Sequence, residues 1–288
     1  MQGRIVAAHG RQYQVEFADG SRLPCFPRGK KSEIAVGDYV EVARASADQG
    51  VIESTAPRRS LLYRSNEIRQ KLIAANVDQL VVVVATEPAF SDELITRSLL
   101  AAEDQGIEIL IVLNKCDLGD KLPAARERLQ LFAGLGYRIL ELSARAHAEA
   151  LRPELLGKTS VLVGQSGMGK STLVNALIPE ARAATREISQ ALDSGKHTTT
   201  HATLYHVDAQ SQLIDSPGLQ EFGLGHLDRN ELAHAFREFR PFLGQCRFRD
   251  CRHEREPSCA LTMAAERGEI DPRRLTVYRR IASTQPAY

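Results

Sequence analysis

Ser160-Val161-Leu162-Val163-Gly164-Gln165-Ser166-Gly167-Met168-Gly169-Lys170-Ser171-Thr172 runs from an apolar segment, through a loop with three glycines, into a helix-forming stretch. The loop fits G-x-x-x-x-G-K-[ST], and the strand before it and the helix after it are the context that gives the pattern meaning. Glycines let consecutive backbone N–H groups turn inward, and a helix N-terminus adds positive potential, so the loop suits a phosphate chain. A glycine turn before a helix needs no Lys-Ser at its end. Lys170 is therefore read as the partner of the β/γ-phosphate oxygens and the Ser171 hydroxyl as a magnesium ligand.

Outward from this loop the sequence alternates. Apolar runs at Leu80–Ala85, Ile107–Leu113, Ile139–Leu142 and Ser160–Val163 are separated by helical stretches near 92–105, 122–135 and 170–178. Continuous apolar runs are the mark of parallel strands buried on both faces, and the alternation predicts an α/β sheet. Leu204–Val207 and Gln212–Ile214 read as a hairpin leading into Asp215.

Three further motifs fall at strand ends. Asn114-Lys115-Cys116-Asp117 follows Ile107–Leu113. The Asp117 carboxylate can accept both N1–H and the exocyclic amine of guanine, while Asn114 fixes the loop and Lys115 packs over the base. Adenine lacks that donor pair, and an unpaired buried carboxylate is costly, so the site selects GTP over ATP. Ser143-Ala144, after Ile139–Leu142, suits a third loop whose backbone N–H reaches guanine O6. Asp215-Ser216-Pro217-Gly218 matches D-x-x-G, with Asp215 toward magnesium and the Gly218 N–H toward the γ-phosphate. Between these lies Gly195-Lys196-His197-Thr198-Thr199-Thr200, in the place of a mobile switch. One of its threonines should close on magnesium when GTP is bound, with Thr200 the candidate.

In most GTP-binding domains the phosphate loop comes first and N-K-x-D late. Here the base-reading loops precede it, which is a circular permutation, tolerated where the original termini lie close together. The permuted order leads the Asp215 switch directly into the C-terminal segment, whose movement with nucleotide state is a natural expectation.

The flanks differ from this centre. Residues 1–55 read as short strands around an Ala18–Ser21 turn, fitting a small β-barrel of OB type, with Arg58, Arg59 and Arg64 as a basic connector. The C-terminal segment places Cys246, Cys251, His253 and Cys259 within fourteen residues. Three thiolates and one imidazole make a closed set for structural zinc, with no position left open for catalysis. Cys25 and Cys116 stand alone as reduced fillers. Residues 1–71 carry twelve Lys/Arg against eight Asp/Glu, and residues 229–288 carry twelve arginines against eight acids. The net charge of +1 thus hides an acidic centre between two basic flanks, an arrangement suited to a polyanion. Around the cysteines, Arg247, Arg249, Arg252 and Arg255 alternate with the ligands as a cationic surface for phosphates, with Phe248 the clearest aromatic, so backbone and shape recognition is expected over base stacking.

Together, the permuted order, the G-K-H-T-T-T switch and the C-terminal cysteine–histidine pattern resemble the RsgA (YjeQ/YloQ) family of ribosome small-subunit-dependent GTPases, over nearly the whole chain. The resemblance implies an OB-like barrel (1–70), a permuted GTPase domain (71–228) and a mainly helical zinc domain (229–288). It also implies a role in late maturation of the small ribosomal subunit, through contact with its rRNA. Leu219 stands where many GTPases carry a water-positioning Gln, so intrinsic hydrolysis should be slow. Gln220 is a neighbour expected to point elsewhere, and His197 is the candidate catalytic group in the family context. A nucleotide-gated RNA-binding scaffold with incidental hydrolysis is the competing function. A P-loop ATPase or kinase is disfavoured by Asn114–Asp117. The start, MQGRIVAAHG, has no apolar core after a basic opening, and no apolar run is long enough to span a bilayer. A cytoplasmic monomer is expected.

Overall fold

Strands β1 (Gln2–His9), β2 (Gln12–Phe17), β3 (Arg22–Pro27), β4 (Tyr39–Arg44) and β5 (Gly50–Thr55) follow the short apolar segments and turns of the N-terminus. The computed structural model describes residues 1–29, 33–66, 69–179, 181, 202–216 and 222–284. These five strands pair in the order β1-β2-β3-β5-β4, and β4 returns to β1, which closes a barrel. Alternate side chains, among them Ile5, Val15, Cys25 and Val42, fill it. The connector differs from its reading as a basic strip. Arg58 pairs with the buried Asp38 at 2.7 Å and Arg59 with Asp78 at 2.9 Å, so both cations are neutralised locally. A separate hairpin of β6 (Leu61–Asn66) and β7 (Arg69–Ala75) follows.

Next come β8 (Gln79–Ala85), β9 (Glu108–Asn114), β10 (Arg138–Glu141), β11 (Thr159–Val163), β12 (Thr203–His206) and β13 (Gln212–Asp215). They lie in the order β10-β9-β8-β11-β13-β12, parallel except for β12. Every residue of β8 and β11 is buried, as continuous apolar runs require. Helices α1 (Asp92–Asp104), α2 (Leu122–Gly134), α3 (Arg152–Leu155) and α4 (Lys170–Leu177) connect these strands. The parallel strands run outward in chain order from β8 through β9 to β10 in one direction and from β11 to β13 in the other, with antiparallel β12 beyond β13. The boundary between β8 and β11 is the switch point where strand ends diverge and open α/β sheets bind ligands.

The C-terminal segment forms α5 (Arg229–Ala235), α6 (Ala260–Glu266) and α7 (Pro272–Ser283) around the cysteine–histidine loop. Asp228 and Glu231 form a reciprocal capping box on α5, and the Asp271 side chain caps α7 ahead of Pro272. Phe236 stacks on Phe239 at 4.6 Å, with Tyr278 edge-on to both. Arg274 is only 1% exposed. It donates to Glu238 at 2.5 Å and to Thr96 of α1 at 2.7 Å, and it sits over the Phe236 ring. Arg280 reaches Glu93, and Arg237 and Arg240 reach Glu103, so the C-terminal unit is docked along α1. No helix among the described residues is long and apolar enough to cross a membrane.

Candidate functional site

At the switch point, β11 ends in the glycine loop. Gly164 and Gly169 adopt φ of +154° and +92°. A Cβ on Gly164 would lie 2.2 Å from the Val83 carbonyl oxygen, and one on Gly169 would lie 2.3 Å from Asn114 Nδ2. Neither position can carry a side chain, because the loop is pressed onto β8 and onto the last residue of β9. Lys170 Nζ donates to the carbonyl oxygens of Gly164 and Gln165 at 2.5 and 2.9 Å, folding the ammonium back over the loop. Burial holds its pKa below the ordinary lysine value, with Asp215 opposing. Burial likewise pushes the Asp215 carboxyl up, with Lys170 opposing.

Asn114 joins three loops. Its Nδ2 donates to the Met168 carbonyl at 2.8 Å, and its Oδ1 accepts from the N–H groups of Lys115 and Ala144, each at 2.8 Å. One side chain, 1% exposed, therefore ties N-K-C-D to the phosphate loop and to Ser143-Ala144. Lys115 adopts φ of +61°, and its ammonium donates to the Glu87 carbonyl. Held positive φ at a non-glycine residue is the kind of local strain that gathers at ligand sites.

These loops enclose a cavity of about 470 Å³. Asn114, Lys115, Asp117, Ser143 and Ala144 line one end, and Ser166, Gly167, Gly169, Lys170, Ser171 and Thr172 the other. Base-reading and phosphate-binding candidates, up to fifty-eight positions apart in sequence, thus share one cleft. Cys116 does not line it, and its thiol faces the Leu113 carbonyl instead. Met168 is buried beneath the loop, and the Gln165 amide accepts from the N–H of Ser91 at the start of α1. Sequence reasoning missed Leu118 and Arg145, which line the cavity directly after the base-reading motifs. Their position next to those motifs was the available signal. Gly195–Thr200 with His197 and Thr200, and also Gly218, Leu219 and Gln220, lie outside the described residues.

The second cluster sits in the C-terminal unit. The ligand atoms of Cys246, Cys251, His253 and Cys259 lie within 4.8 Å of one another. His253 Nδ1 is 3.5, 3.6 and 3.4 Å from the three sulfurs in that order. A zinc tetrahedron with ordinary Zn–S and Zn–N lengths has N···S edges of about 3.6 Å, so the set fits zinc. Arg279 fixes the loop by donating to the His253 carbonyl and to Thr262. Glu256 accepts from the N–H groups of Arg252, Glu254 and Arg255. Among the described residues Arg247, Arg249, Arg252 and Arg255 form no ion pair, whereas Arg229, Arg237, Arg240, Arg267, Arg273, Arg274 and Arg280 all do. The free cations of this unit are therefore concentrated on the cysteine–histidine loop.

The family model of the RsgA GTPase matches residues 55–225. A "Small ribosomal subunit biogenesis GTPase RsgA" of Nitrosomonas europaea is 54% identical over 282 residues, covering 97% of this chain and 90% of that protein. Its namesake in Burkholderia pseudomallei is 55% identical over 285 residues, covering 97% and 91%. Among solved structures, YjeQ from Thermotoga maritima superposes with a TM-score of 0.73 at 33% identity, covering 98% of this chain and 97% of that one. YloQ, described as a circularly permuted GTPase, gives 0.71 at 27% identity, covering 100% and 96%.

Proposed function

Because this chain belongs to the RsgA GTPase family, we propose that it binds the small ribosomal subunit, acts in its late maturation in the cytoplasm, and is stimulated by it. It is a GTP hydrolase, converting GTP to GDP and phosphate. The observation that carries the nucleotide reading is the convergence of three loops on Asn114 around one cleft.

In this reading Asp117 takes the guanine edge, Lys115 and the Ser143-Ala144 backbone complete the base pocket, and residues 164–172 wrap the phosphates. Lys170 turns from the loop carbonyls to the β/γ oxygens when nucleotide enters. Ser171, Asp215 and one switch threonine, with Thr200 the candidate, would hold magnesium. A hard oxygen donor set suits that ion, which would neutralise charge on the phosphates. Leu219 cannot orient water, so the missing group comes from elsewhere, and His197 is our candidate.

We place boundaries near residues 70 and 228, with one structural zinc in the C-terminal part. The unpaired arginines on the zinc loop, together with the basic barrel, supply the contact to rRNA phosphates. Co-sedimentation with purified small subunits tests this. Retention should be stronger with a non-hydrolysable GTP analogue than with GDP and should fall steeply with salt. No retention in either nucleotide state would overturn the reading. The scaffold alternative rests on Leu219 and predicts binding without stimulated turnover.

A further inference from the structure

Strand β12 borders the nucleotide-binding half of the sheet, and its outer edge is taken by the barrel. Ala7 of β1 pairs with Thr203, and the Ala8 N–H donates to the Ala202 carbonyl at 3.4 Å. This backbone seam is short, so side chains carry much of the junction. Glu16 of β2 meets His206, the last residue of β12, at 2.6 Å, and its other oxygen takes Arg22 at 2.7 Å. Arg4 lies opposite Glu16 in the β1–β2 register and donates to Gln212 and Thr159 at 3.2 and 3.0 Å. Gln212 in turn lies opposite His206 in the β12–β13 register. Barrel and sheet are thus cross-linked from both sides of the seam.

The strands gripped in this way are the ones nearest the switches in sequence. Thr203 opens β12 three residues after Thr200, and Asp215 closes β13. Packed elements transmit displacement because they have discrete arrangements instead of deforming freely. We infer that Glu16 and His206 are positioning residues for the subunit-stimulated rate alone, through which a ligand seated on the barrel sets β12, the strand that follows Gly195–Thr200 in sequence. The inference rests on the subunit-stimulated reading above and names the route by which stimulation arrives.

The test is steady-state GTP turnover by the full chain and by Glu16→Gln, His206→Ala and His206→Lys, each across a series of small-subunit concentrations. Glu16→Gln and His206→Ala should lower the stimulated kcat about tenfold, within the usual span of coupling between sites. Basal turnover and the subunit concentration giving half-maximal stimulation should not change. His206→Lys, which restores a hydrogen-bond donor to the Glu16 carboxylate, should recover the stimulated rate. Full stimulation of both disrupted variants overturns the inference alone. So does a loss that follows weakened subunit binding, which would make the pair part of the RNA contact, or failure of His206→Lys to recover. An unaltered chain that shows no stimulation overturns the functional reading and this inference together.

Discussion

Replacing Asn114 with Ala removes one side chain and leaves three backbone groups without partners. Two of them, the Met168 carbonyl and the Ala144 N–H, belong to buried residues, and the third, the Lys115 N–H, faces a half-buried position. An unsatisfied buried polar group costs about 1–3 kcal/mol, whereas a group that gains water costs little. Counting the two buried groups, and allowing part of the cost to fall on the free protein, GDP binding should weaken by about 2–4 kcal/mol. That corresponds to a roughly 30- to 1000-fold rise in Kd. Magnesium–GDP titration by calorimetry measures it directly, with thermal unfolding of the free protein reporting the remainder. Binding weakened less than about threefold, together with an unchanged Tm, would show that Asn114 does not hold the three loops together.

Other perturbations address the same architecture. Gly169→Ala places a Cβ against Asn114 Nδ2 at a φ of +92° and should abolish measurable GDP binding, read by the same titration. Asp117→Asn removes the acceptor for the guanine amine while offering a donor to the 2-oxo group of xanthine. GDP affinity should fall at least about 100-fold and xanthosine diphosphate affinity should rise, as competition assays would show. Arg274→Met leaves Glu238 buried and unpaired and should destabilise the docked C-terminal unit by about 3–5 kcal/mol in denaturant unfolding, whereas Arg274→Met with Glu238→Leu should recover most of the loss. Stripping metal with a strong chelator should release one zinc per chain and speed hydrogen exchange across residues 246–260, leaving GDP affinity unchanged.

The sheet and its motifs were legible because their signals are local. Strands β8 and β11 are apolar on both faces, so they show as runs, and each nucleotide motif sits at the end of such a run. Helices α1, α2 and α4 fall within one residue of the stretches read for them at 92–105, 122–135 and 170–178. The β1–β12 seam was not legible, since pairing between residues 196 positions apart leaves no periodicity in either strand. The β6–β7 hairpin was also missed, its start hidden in a segment read as a basic connector. Arg274 shows the limit most clearly. In Pro272-Arg273-Arg274-Leu275 it looks like a solvated cation, yet Thr96 and Glu238, distant in sequence, provide it with a buried seat. The C-terminal unit is likewise anchored along α1 by four arginine-to-acid or hydroxyl contacts that no local pattern announces.

We propose a guanine-nucleotide site whose hydrolysis waits for the small ribosomal subunit. Its most direct test is the initial rate of GTP hydrolysis by the full chain with and without purified small subunits, at low and high salt. Turnover should be slow for the protein alone and should rise about 100-fold or more with subunits, since supplying a missing catalytic group has effects at least that large. The increase should shrink as salt weakens the phosphate contacts. Equal rates with and without subunits, while the protein still binds them, would rule out subunit-stimulated hydrolysis and leave a nucleotide-gated scaffold in its place.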